Sequence, residues 1–271
     1  MNIYINERPA EVAEGLMLYA LRDQLKPGAD VLVVNGAPAR TDVALHEGDE
    51  VVLIQRGEKP PEDELEALMA ARHTPGVHRA IKNATVGIAG LGGLGSAIAI
   101  ALARIGVGRL ILADFDVVEP SNLNRQQYFI ADLGLPKTEA MTANLAKINP
   151  YVQVTSHTVR LTPDNVPAIF AEVDVLAEAF DTPDGKAMLV ESFSSAYPDR
   201  PIVVATGLAG YGSSNTIVTR KVGKSLFVVG DMVTAAQPGT GLMAPRVGVA
   251  AHHQANAILQ LLLGEDPAKR Q

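Results

Sequence analysis

A glycine-rich turn between an apolar run and an expected helix is the first feature of this chain that could support chemistry. Residues 86–89 (VGIA) are typical of a buried strand, and GLGGLG follows them at once. Its glycines, Gly90, Gly92, Gly93 and Gly95, allow a tight turn into a helix whose free N–H groups can face phosphate. The same pattern also occurs in plain turns and small-residue packing, so the neighbouring residues must decide its meaning.

Those neighbours indicate chemistry at phosphorus. The next apolar run, 109–113, ends in Asp114, at about the ~20-residue offset at which a carboxylate reaches a ribose hydroxyl. The segment EPSNLNRQQ (119–127) then places Arg125 among several amide side chains. A hydride-transfer enzyme has no need of a phosphate-stabilising arginine here, whereas phosphoryl or nucleotidyl transfer does. We therefore predict a nucleotide site with Asp114 as its ribose ligand.

Five spaced elements together resemble the ThiF/MoeB family, the bacterial relatives of ubiquitin-activating enzymes. They are GLGGLG (90–95), DFD (114–116), SNLNRQ (121–126), GLPK (134–137) and a strand ending in AFD (179–181), and residues 201–263 resemble a ThiF-type C-terminal half. The resemblance implies adenylation, in which the C-terminal carboxylate of a small β-grasp carrier protein attacks the α-phosphate of ATP and pyrophosphate leaves. Later steps put sulfur on the carrier.

The resemblance implies a catalytic role for Arg125 and Lys137. Both match basic phosphate ligands of the family, and preorganised cations stabilise the negative charge that grows on the α-phosphate oxygens. Asn122, Asn124 and Gln126 would orient Arg125 and the ribose or phosphate oxygens. Asn124 stands where several relatives have glutamine.

Asp181 completes the implied catalytic set as the Mg²⁺ ligand on the triphosphate, because Mg²⁺ prefers hard oxygen donors. Thr182 replaces the asparagine that usually follows this aspartate. Asp116 either contacts the ligand or completes turn hydrogen bonds, and both interpretations stay open. In relatives an upstream arginine reaches the γ-phosphate of the dimer mate's nucleotide, and here Arg72 or Arg79 could do so.

Composition narrows the classes of function. The 271 residues carry a formal net charge of −7, which opposes a nucleic-acid partner. We find neither a signal segment nor an apolar run of the ~18 residues that a span requires, so we expect a cytoplasmic protein without a membrane partner. The chain has no cysteine, which excludes a Cys-bound zinc and a thiol nucleophile on this polypeptide. Adenylation needs neither, and an ionised carboxylate needs no general base, so we expect ATP and Mg²⁺ only.

Residues 1–57 predict a small separate β-grasp domain. Runs at 2–6, 31–34 and 51–54 read as strands, and Leu18, Leu21 and Leu25 mark an amphipathic helix. The order resembles a ThiS-like sulfur carrier, but Gly57-Glu58 stands where a carrier ends in Gly-Gly. This domain therefore cannot be the adenylation substrate, which leaves a docked pseudo-carrier or a fused domain kept for folding or dimer contacts.

The rest of the chain predicts an α/β fold. Residues 58–80 read as a linker with a helix over 62–72 and a loop around 74–76. Residues 81–271 read as a doubly wound, Rossmann-like, mostly parallel sheet with ThiF-type C-terminal strands. Within it we expect strands at 152–155, 173–180, 202–205, 216–219 and 226–229, and helices at 137–148 and 245–263. Residues 233–244 have the composition of a connector under which a carrier tail could thread.

The leading hypothesis is an ATP-dependent adenylyltransferase for a ThiS-like carrier supplied in trans, in thiamine (thiazole) biosynthesis, working as a homodimer. A MoaD-like carrier is the nearest alternative, and a nucleotide-binding scaffold with a pseudo-carrier is the non-enzymatic one. A nicotinamide oxidoreductase would leave Arg125, Lys137 and Asp181 unexplained. A tRNA-modifying relative that adenylates a carboxylate on RNA is opposed by the acidic charge and by the β-grasp domain.

Overall fold

The chain divides into two compact units, Met1–Pro75 and Gly76–Gln271. The computed structural model describes residues 1–73 and 75–269. No helix in these ranges is long and apolar enough to cross a bilayer.

The first unit contains a five-stranded sheet and, among its described residues, two helices. Its elements are β1 (Asn2–Ile5), β2 (Arg8–Glu11), α1 (Leu18–Leu25), β3 (Val31–Val34), β4 (Ala37–Pro38), β5 (Glu50–Ile54) and α2 (Glu62–His73). The strand order is β2-β1-β5-β3-β4, with β1 parallel to β5 and the other pairs antiparallel. Leu18 and Leu21 lie in its core, whereas Leu25 is exposed. The predicted β-grasp arrangement is confirmed.

The second unit alternates strands and helices. Its elements are α3 (Pro75–Lys82), β6 (Thr85–Ala89), α4 (Gly93–Arg104), β7 (Arg109–Asp114), α5 (Lys137–Ile148), β8 (Gln153–Thr158), α6 (Val166–Ile169), β9 (Val175–Glu178), α7 (Pro183–Ala196), β10 (Ile202–Ala205), β11 (Val218–Val222), β12 (Leu226–Gly230) and α8 (Ala244–Leu262). Two apolar clusters on opposite faces of the sheet, one under α4, α5 and α8 and one under α6 and α7, form its core.

The sheet of this unit places a ligand site at a defined point. Its order is β11-β12-β10-β9-β6-β7-β8, and only β11 runs antiparallel to its neighbour. The chain leaves β6 toward β7 on one side and later returns to β9 on the other. Open α/β sheets bind ligands at this switch point, outside the carboxyl ends of the strands. The predicted doubly wound fold is confirmed, and the glycine turn lies at its switch point.

Several predicted boundaries were wrong. A helix, α3, begins at Pro75 where we expected a loop, since proline is tolerated in the first helical turn; Thr74 lies outside the described residues. The predicted 152–155 strand continues to Thr158 beside β7, and the 216–219 strand lies at Val218–Val222. The 173–180 strand ends at Glu178, so Asp181 lies three residues beyond it. The helices α6 and α7 and the short strands β2 and β4 were not predicted.

Candidate functional site

The glycine turn joins β6 to α4 through contacts that only glycine permits. Gly90 has a φ of +92°, and a Cβ there would lie 2.9 Å from the carbonyl oxygen of Ala179. A Cβ on Gly95 would lie 1.9 Å from the carbonyl oxygen of Gly90, so the helix start packs directly on the turn. At Gly92 an added Cβ would meet only Gln126 Nε2, at 3.9 Å. The turn is thus tightly packed behind and open where a phosphate would approach the helix N-terminus.

Asp114 and Tyr128 hold this turn from two sides through Leu91. The Leu91 N–H donates to Asp114 Oδ2 at 2.6 Å, and Tyr128 Oη donates to the Leu91 carbonyl at 2.9 Å. The second Asp114 oxygen accepts from the Asp116 N–H at 2.8 Å. Burial, together with the carboxylates of Asp114, Asp132 and Asp116, raises the pKa of Tyr128, so its hydroxyl stays a donor. Asp114 therefore shapes the turn and lies 9% exposed at the end of β7, and its contact with a ribose stays a prediction.

Arg125 lies against the start of α4. A Cβ added at Gly93 would be 3.5 Å from Arg125 Cγ, so the arginine stem covers the first helical residue. Its Nη1 donates to Asn124 Oδ1 at 2.9 Å and, more weakly, to the Ser121 carbonyl at 3.4 Å. These two hydrogen bonds orient the guanidinium. Because both acceptors are neutral, they do not neutralise its positive charge. The stem of Arg125 thus lies beside the glycine turn, and Asn124 contacts its guanidinium directly. Contact of Arg125 with a phosphate stays a prediction.

Lys137 and Asp116 form an ion pair. Lys137 Nζ lies 2.8 Å from Asp116 Oδ2, and the Lys137 N–H donates to the Asp116 carbonyl at 2.9 Å. The lysine side chain is 6% exposed and the aspartate 48%. In the described residues, therefore, Lys137 fixes the loop after β7 to the first turn of α5. Its contact with a phosphate stays a prediction.

Asn122 and Gln126 lie on the segment that carries Arg125. Asn122 Oδ1 accepts from the Glu119 N–H at 3.0 Å, and its carbonyl accepts from the N–H groups of Arg125 and Gln126. Its side chain thus shapes the helical turn over Pro120–Asn124 rather than touching the guanidinium. Gln126 is buried next to Gly92, and within the described part of the chain its Oε1 meets no hydrogen-bond partner. An amide with unused capacity beside the turn fits a site built for a polar ligand.

Asp181 is exposed on the loop that follows β9. The two residues before it pack on the turn, since a Cβ at Gly90 would meet the Ala179 carbonyl at 2.9 Å and Phe180 Cδ1 at 3.1 Å. In the described ranges no group of three or more His, Cys, Asp or Glu side chains could hold a metal. One exposed carboxylate does fit Mg²⁺ brought on a nucleotide, because phosphates and water fill the other positions. Arg79 lies exposed on α3, and the side chain of Arg72 is outside the described residues.

The sequence contained no signal for Tyr128, for Glu178, or for the buried ion pair between Arg246 and Asp231. Arg246 of α8 donates from Nη2 to Asp231 Oδ2 at 2.7 Å, and its Nη1 donates to the carbonyls of Gly212 and Ser213. The pair joins the 212–216 loop and the turn after β12 to the start of α8. It therefore ties together the two ends of the 233–244 connector. An Arg at the third position of a helix is typical of surface charge, so no local pattern indicated this burial.

The Asp231 carboxylate makes the free energy of unfolding of this unit depend on pH in the acid range. Burial raises its pKa, but hydrogen bonds from Thr234, Val233 and Arg246 outweigh that effect and hold the pKa at about 2, below the ordinary 3.8. A depressed carboxyl pKa stabilises the fold above pH ~4, and this contribution is lost as the pH falls toward 2. We expect Asp231→Asn to lower the free energy of unfolding by about 2 kcal/mol at pH 6.

The measurement is a urea titration of parent and Asp231→Asn between pH 6 and pH 3. The gap between the unfolding free energies of the two proteins should narrow as the pH falls below about 4, because Asp231 takes up a proton in the unfolded parent chain while it stays ionised in the folded one. A gap that stays constant over this range would contradict the depressed pKa.

The geometry defines the class of protein domain to which the second unit belongs. A glycine turn at the switch point, a carboxylate at the end of the next strand and an arginine on the helix start are the features of a nucleotide-binding α/β domain. The family model of the ThiF family matches residues 66–271, and the model described as ThiS-like ubiquitin matches residues 1–57. The chain therefore belongs to the ThiF family and carries a ThiS-like domain in front, as the sequence predicted.

Named relatives share this domain. The chain is 33% identical over 191 residues to the adenylyltransferase and sulfurtransferase UBA4 of Kluyveromyces lactis, covering 68% of this chain and 42% of that protein. It is 31% identical to the molybdopterin-synthase adenylyltransferase of Escherichia coli, covering 68% of this chain and 75% of that enzyme. It is 37% identical over 131 residues to the tRNA threonylcarbamoyladenosine dehydratase of Bacillus subtilis, covering 48% and 51%. The chain spans less than half the length of the UBA4 relatives.

Solved structures agree on the fold. The crystal structure of the E. coli tRNA N6-threonylcarbamoyladenosine dehydratase TcdA in complex with ATP superposes with a TM-score of 0.66 at 24% identity, covering 72% of this chain and 92% of that one. At this identity the likeness establishes the fold alone.

Proposed function

We propose that this protein adenylates the C-terminal carboxylate of a ThiS-like sulfur carrier with ATP, in the thiazole branch of thiamine biosynthesis. The single observation that carries the proposal is the stem of Arg125 lying against the helix start beside an open glycine turn, with only neutral hydrogen-bond acceptors among the described residues. Relatives named as adenylyltransferases support the reaction class. The ThiS-like domain supports the thiamine branch over the molybdopterin branch.

The reaction needs little from the protein beyond positioning and charge. A carrier carboxylate oxygen attacks the α-phosphorus, the bond to the pyrophosphate oxygen breaks, and the acyl-adenylate and pyrophosphate remain. The nucleophile is ionised at neutral pH, so no base is required. The N–H groups at the start of α4 receive the phosphates, Asp114 receives the ribose, and Arg125 neutralises charge that develops on the α-phosphate. Mg²⁺ on the triphosphate, held by Asp181, would supply further neutralisation.

The carrier is proposed to act in trans, because the fused domain binds its own tail. Lys26 Nζ lies 2.8 Å from Glu58 Oε2, and Glu64 Oε1 accepts from Asn6 Nδ2 at 2.7 Å. Arg8 pairs with Asp63 at 2.9 Å. The hydrogen bond from Lys26 to Glu58 leads the effects that raise the pKa of Lys26, so this cation stays charged. In a true carrier this segment would continue as a free tail. Here residues 58–64 are bound to the domain by these contacts. Both roles of the domain, pseudo-carrier or folding and dimer element, stay open.

The test is carrier-dependent exchange between ATP and labelled pyrophosphate. The full chain, Mg²⁺ and ATP are mixed with separate carriers of the ThiS and MoaD kinds that end in Gly-Gly. Exchange with the ThiS kind, lost when its last glycine is removed, is the expected result, and the shortened carrier is the matched control. Exchange with the MoaD kind alone would move the assignment to that pathway. ATP binding without any exchange would favour the scaffold hypothesis.

A carboxylate on tRNA is the second candidate, because the TcdA fold and the B. subtilis dehydratase are similar to this chain. The net charge of −7 opposes it. The same exchange assay with total tRNA in place of the carrier separates the two. The cytoplasmic location, expected from the absence of a signal segment, stays a prediction.

A homodimer is proposed on an exposed apolar patch. Its members lie on the loop after β7 and the turn before α5: Val117, Phe129, Ile130, Leu133 and Leu135. Ile130 is 78% exposed, and Val117 bridges to Pro136, which brings the two segments together. Contiguous apolar surface of this kind marks interfaces in soluble proteins.

We expect Ile130→Asp to convert a dimeric parent to monomers, because a charge would be buried without a partner. The measurement is light scattering after size exclusion, and Val222→Asp, which changes an exposed apolar side chain on β11, is the matched control. A variant that stays dimeric, or a monomeric parent, would refute this interface.

A further inference from the structure

A buried carboxylate lies directly behind the loop that carries Asp181. Glu178, the last residue of β9, is 0% exposed, and both of its oxygens are occupied. Oε1 accepts from the Phe180 N–H at 2.6 Å and from Lys186 Nζ at 2.9 Å. Oε2 accepts from Lys186 Nζ at 3.0 Å and from the Ala205 N–H at 3.3 Å. One side chain thus joins the ends of β9 and β10 to the first turn of α7.

The loop between these attachment points is short and contains Asp181. It begins with Ala179 and Phe180, whose backbone and ring pack on Gly90 of the phosphate turn. It ends where α7 starts at Pro183, one turn before Lys186. Gln254 of α8 closes the rear by donating from Nε2 to the carbonyls of Glu178 and Val203, at 2.9 and 3.2 Å. Asp181 is the exposed tip of a loop fixed at both ends.

We propose that Glu178 and Lys186 are positioning residues that fix Asp181 beside the glycine turn so that it can hold the metal of a metal–nucleotide complex. The inference deepens the proposed function and rests on it for the metal. A buried ion pair is rarely the most stable solution for a core, because desolvating two charges costs several kcal/mol. Apolar residues could fill this space, but they could not accept hydrogen bonds from the N–H groups of Phe180 and Ala205 and also pair with Lys186 of α7.

The Lys186 ammonium offsets part of the cost of burying the Glu178 carboxylate. Burial raises the pKa of Glu178, and the Lys186 ammonium and the two N–H donors oppose that shift. Lys186 is 24% exposed, so its charge is partly hydrated while the carboxylate is not. Removing the lysine therefore leaves Glu178 without its counter-ion and favours its protonation. The contact to α7 is then lost, and the loop is held at one end only.

The test uses Lys186→Met in the full chain, with Mn²⁺ bound in the presence of a non-hydrolysable ATP analogue and followed by electron paramagnetic resonance. We expect metal affinity to fall about 10- to 100-fold, the usual effect of losing a group that orients a ligand. Affinity for the analogue without metal should change less than about twofold, since the phosphate turn is untouched. Lys186→Arg should restore metal affinity, because it keeps the cation.

Two further variants separate positioning from stability. Glu178→Gln with Lys186→Met removes both charges and keeps an acceptor for the Phe180 N–H; it should melt near the parent and still bind metal weakly. Lys224→Met removes the exposed Lys224–Asp199 pair and should bind metal as the parent does. Parental metal affinity in Lys186→Met or in the folded double variant would overturn the inference. Because metal binding is measured without a carrier, failure of the exchange assay would refute the proposed function and leave this result standing.

Discussion

Arg125→Ala is expected to lower the rate of carrier-dependent pyrophosphate exchange about 10²–10³-fold, the usual effect of removing one preorganised donor to a developing charge. The stem of Arg125 lies against the start of α4, and in the described residues its guanidinium donates only to neutral acceptors, Asn124 Oδ1 and the Ser121 carbonyl. No carboxylate among the described residues neutralises its charge, so in the proposed reaction it could stabilise the negative charge that grows on the α-phosphate as the carboxylate attacks. The same group contributes less to binding of ground-state ATP.

The measurement is the exchange rate at saturating ATP, with the affinity for ATP determined separately by calorimetry. A loss concentrated in turnover, with ATP affinity reduced only a few-fold, is the expected pattern for a transition-state contact. Arg220→Ala, on the exposed end of β11, is the matched control and should exchange as the parent does. Equal rates in Arg125→Ala and the parent would refute the role of Arg125. A loss confined to ATP affinity would favour a nucleotide-binding scaffold.

Gly95→Ala is expected to abolish measurable ATP binding and to destabilise the second unit by about 3 kcal/mol, the upper range of overpacking effects. The added Cβ would lie 1.9 Å from the carbonyl oxygen of Gly90 and 3.2 Å from Ala179 Cβ. The first clash is with backbone, which cannot rotate away, so the start of α4 must move from the end of β6. A shift of about 1 Å at a preorganised site costs on the order of 10²-fold in function.

Two other glycines separate folding from binding. Gly92→Ala adds a Cβ that meets only Gln126 Nε2 at 3.9 Å, so the variant should fold as the parent does and bind ATP weakly, because the methyl occupies the phosphate approach. Gly248 lies inside α8, and a Cβ added there would meet no other described heavy atom within 4 Å apart from the backbone of the same helix turn. Gly248→Ala should therefore stabilise the helix by about 0.5–1 kcal/mol and leave ATP binding unchanged. Urea titration and calorimetry provide both readouts. Normal ATP affinity in Gly92→Ala would show that phosphate does not approach this face.

The sequence by itself determined the local elements of the site. Glycines that need positive φ, a carboxylate at a strand end and a proline before α5 act over a few residues, so their spacing is readable without a fold. The helix over 137–148 and the strands over 31–34 and 202–205 match the structure to the residue. The family followed from five such motifs in order, and that assignment holds.

The tertiary structure alone decided which of these groups meet. Lys137 read as a free phosphate ligand, but the return of α5 to the loop after β7 places it 2.8 Å from Asp116. Tyr128 reaches Leu91 across 37 residues, and Gln254 reaches the end of β9 across 76. Glu178 read as an ordinary strand residue, and only the packing of β10, α7 and α8 around it made it a buried hub. Such pairs depend on chain segments that are distant in sequence, so no local pattern of residues could determine them.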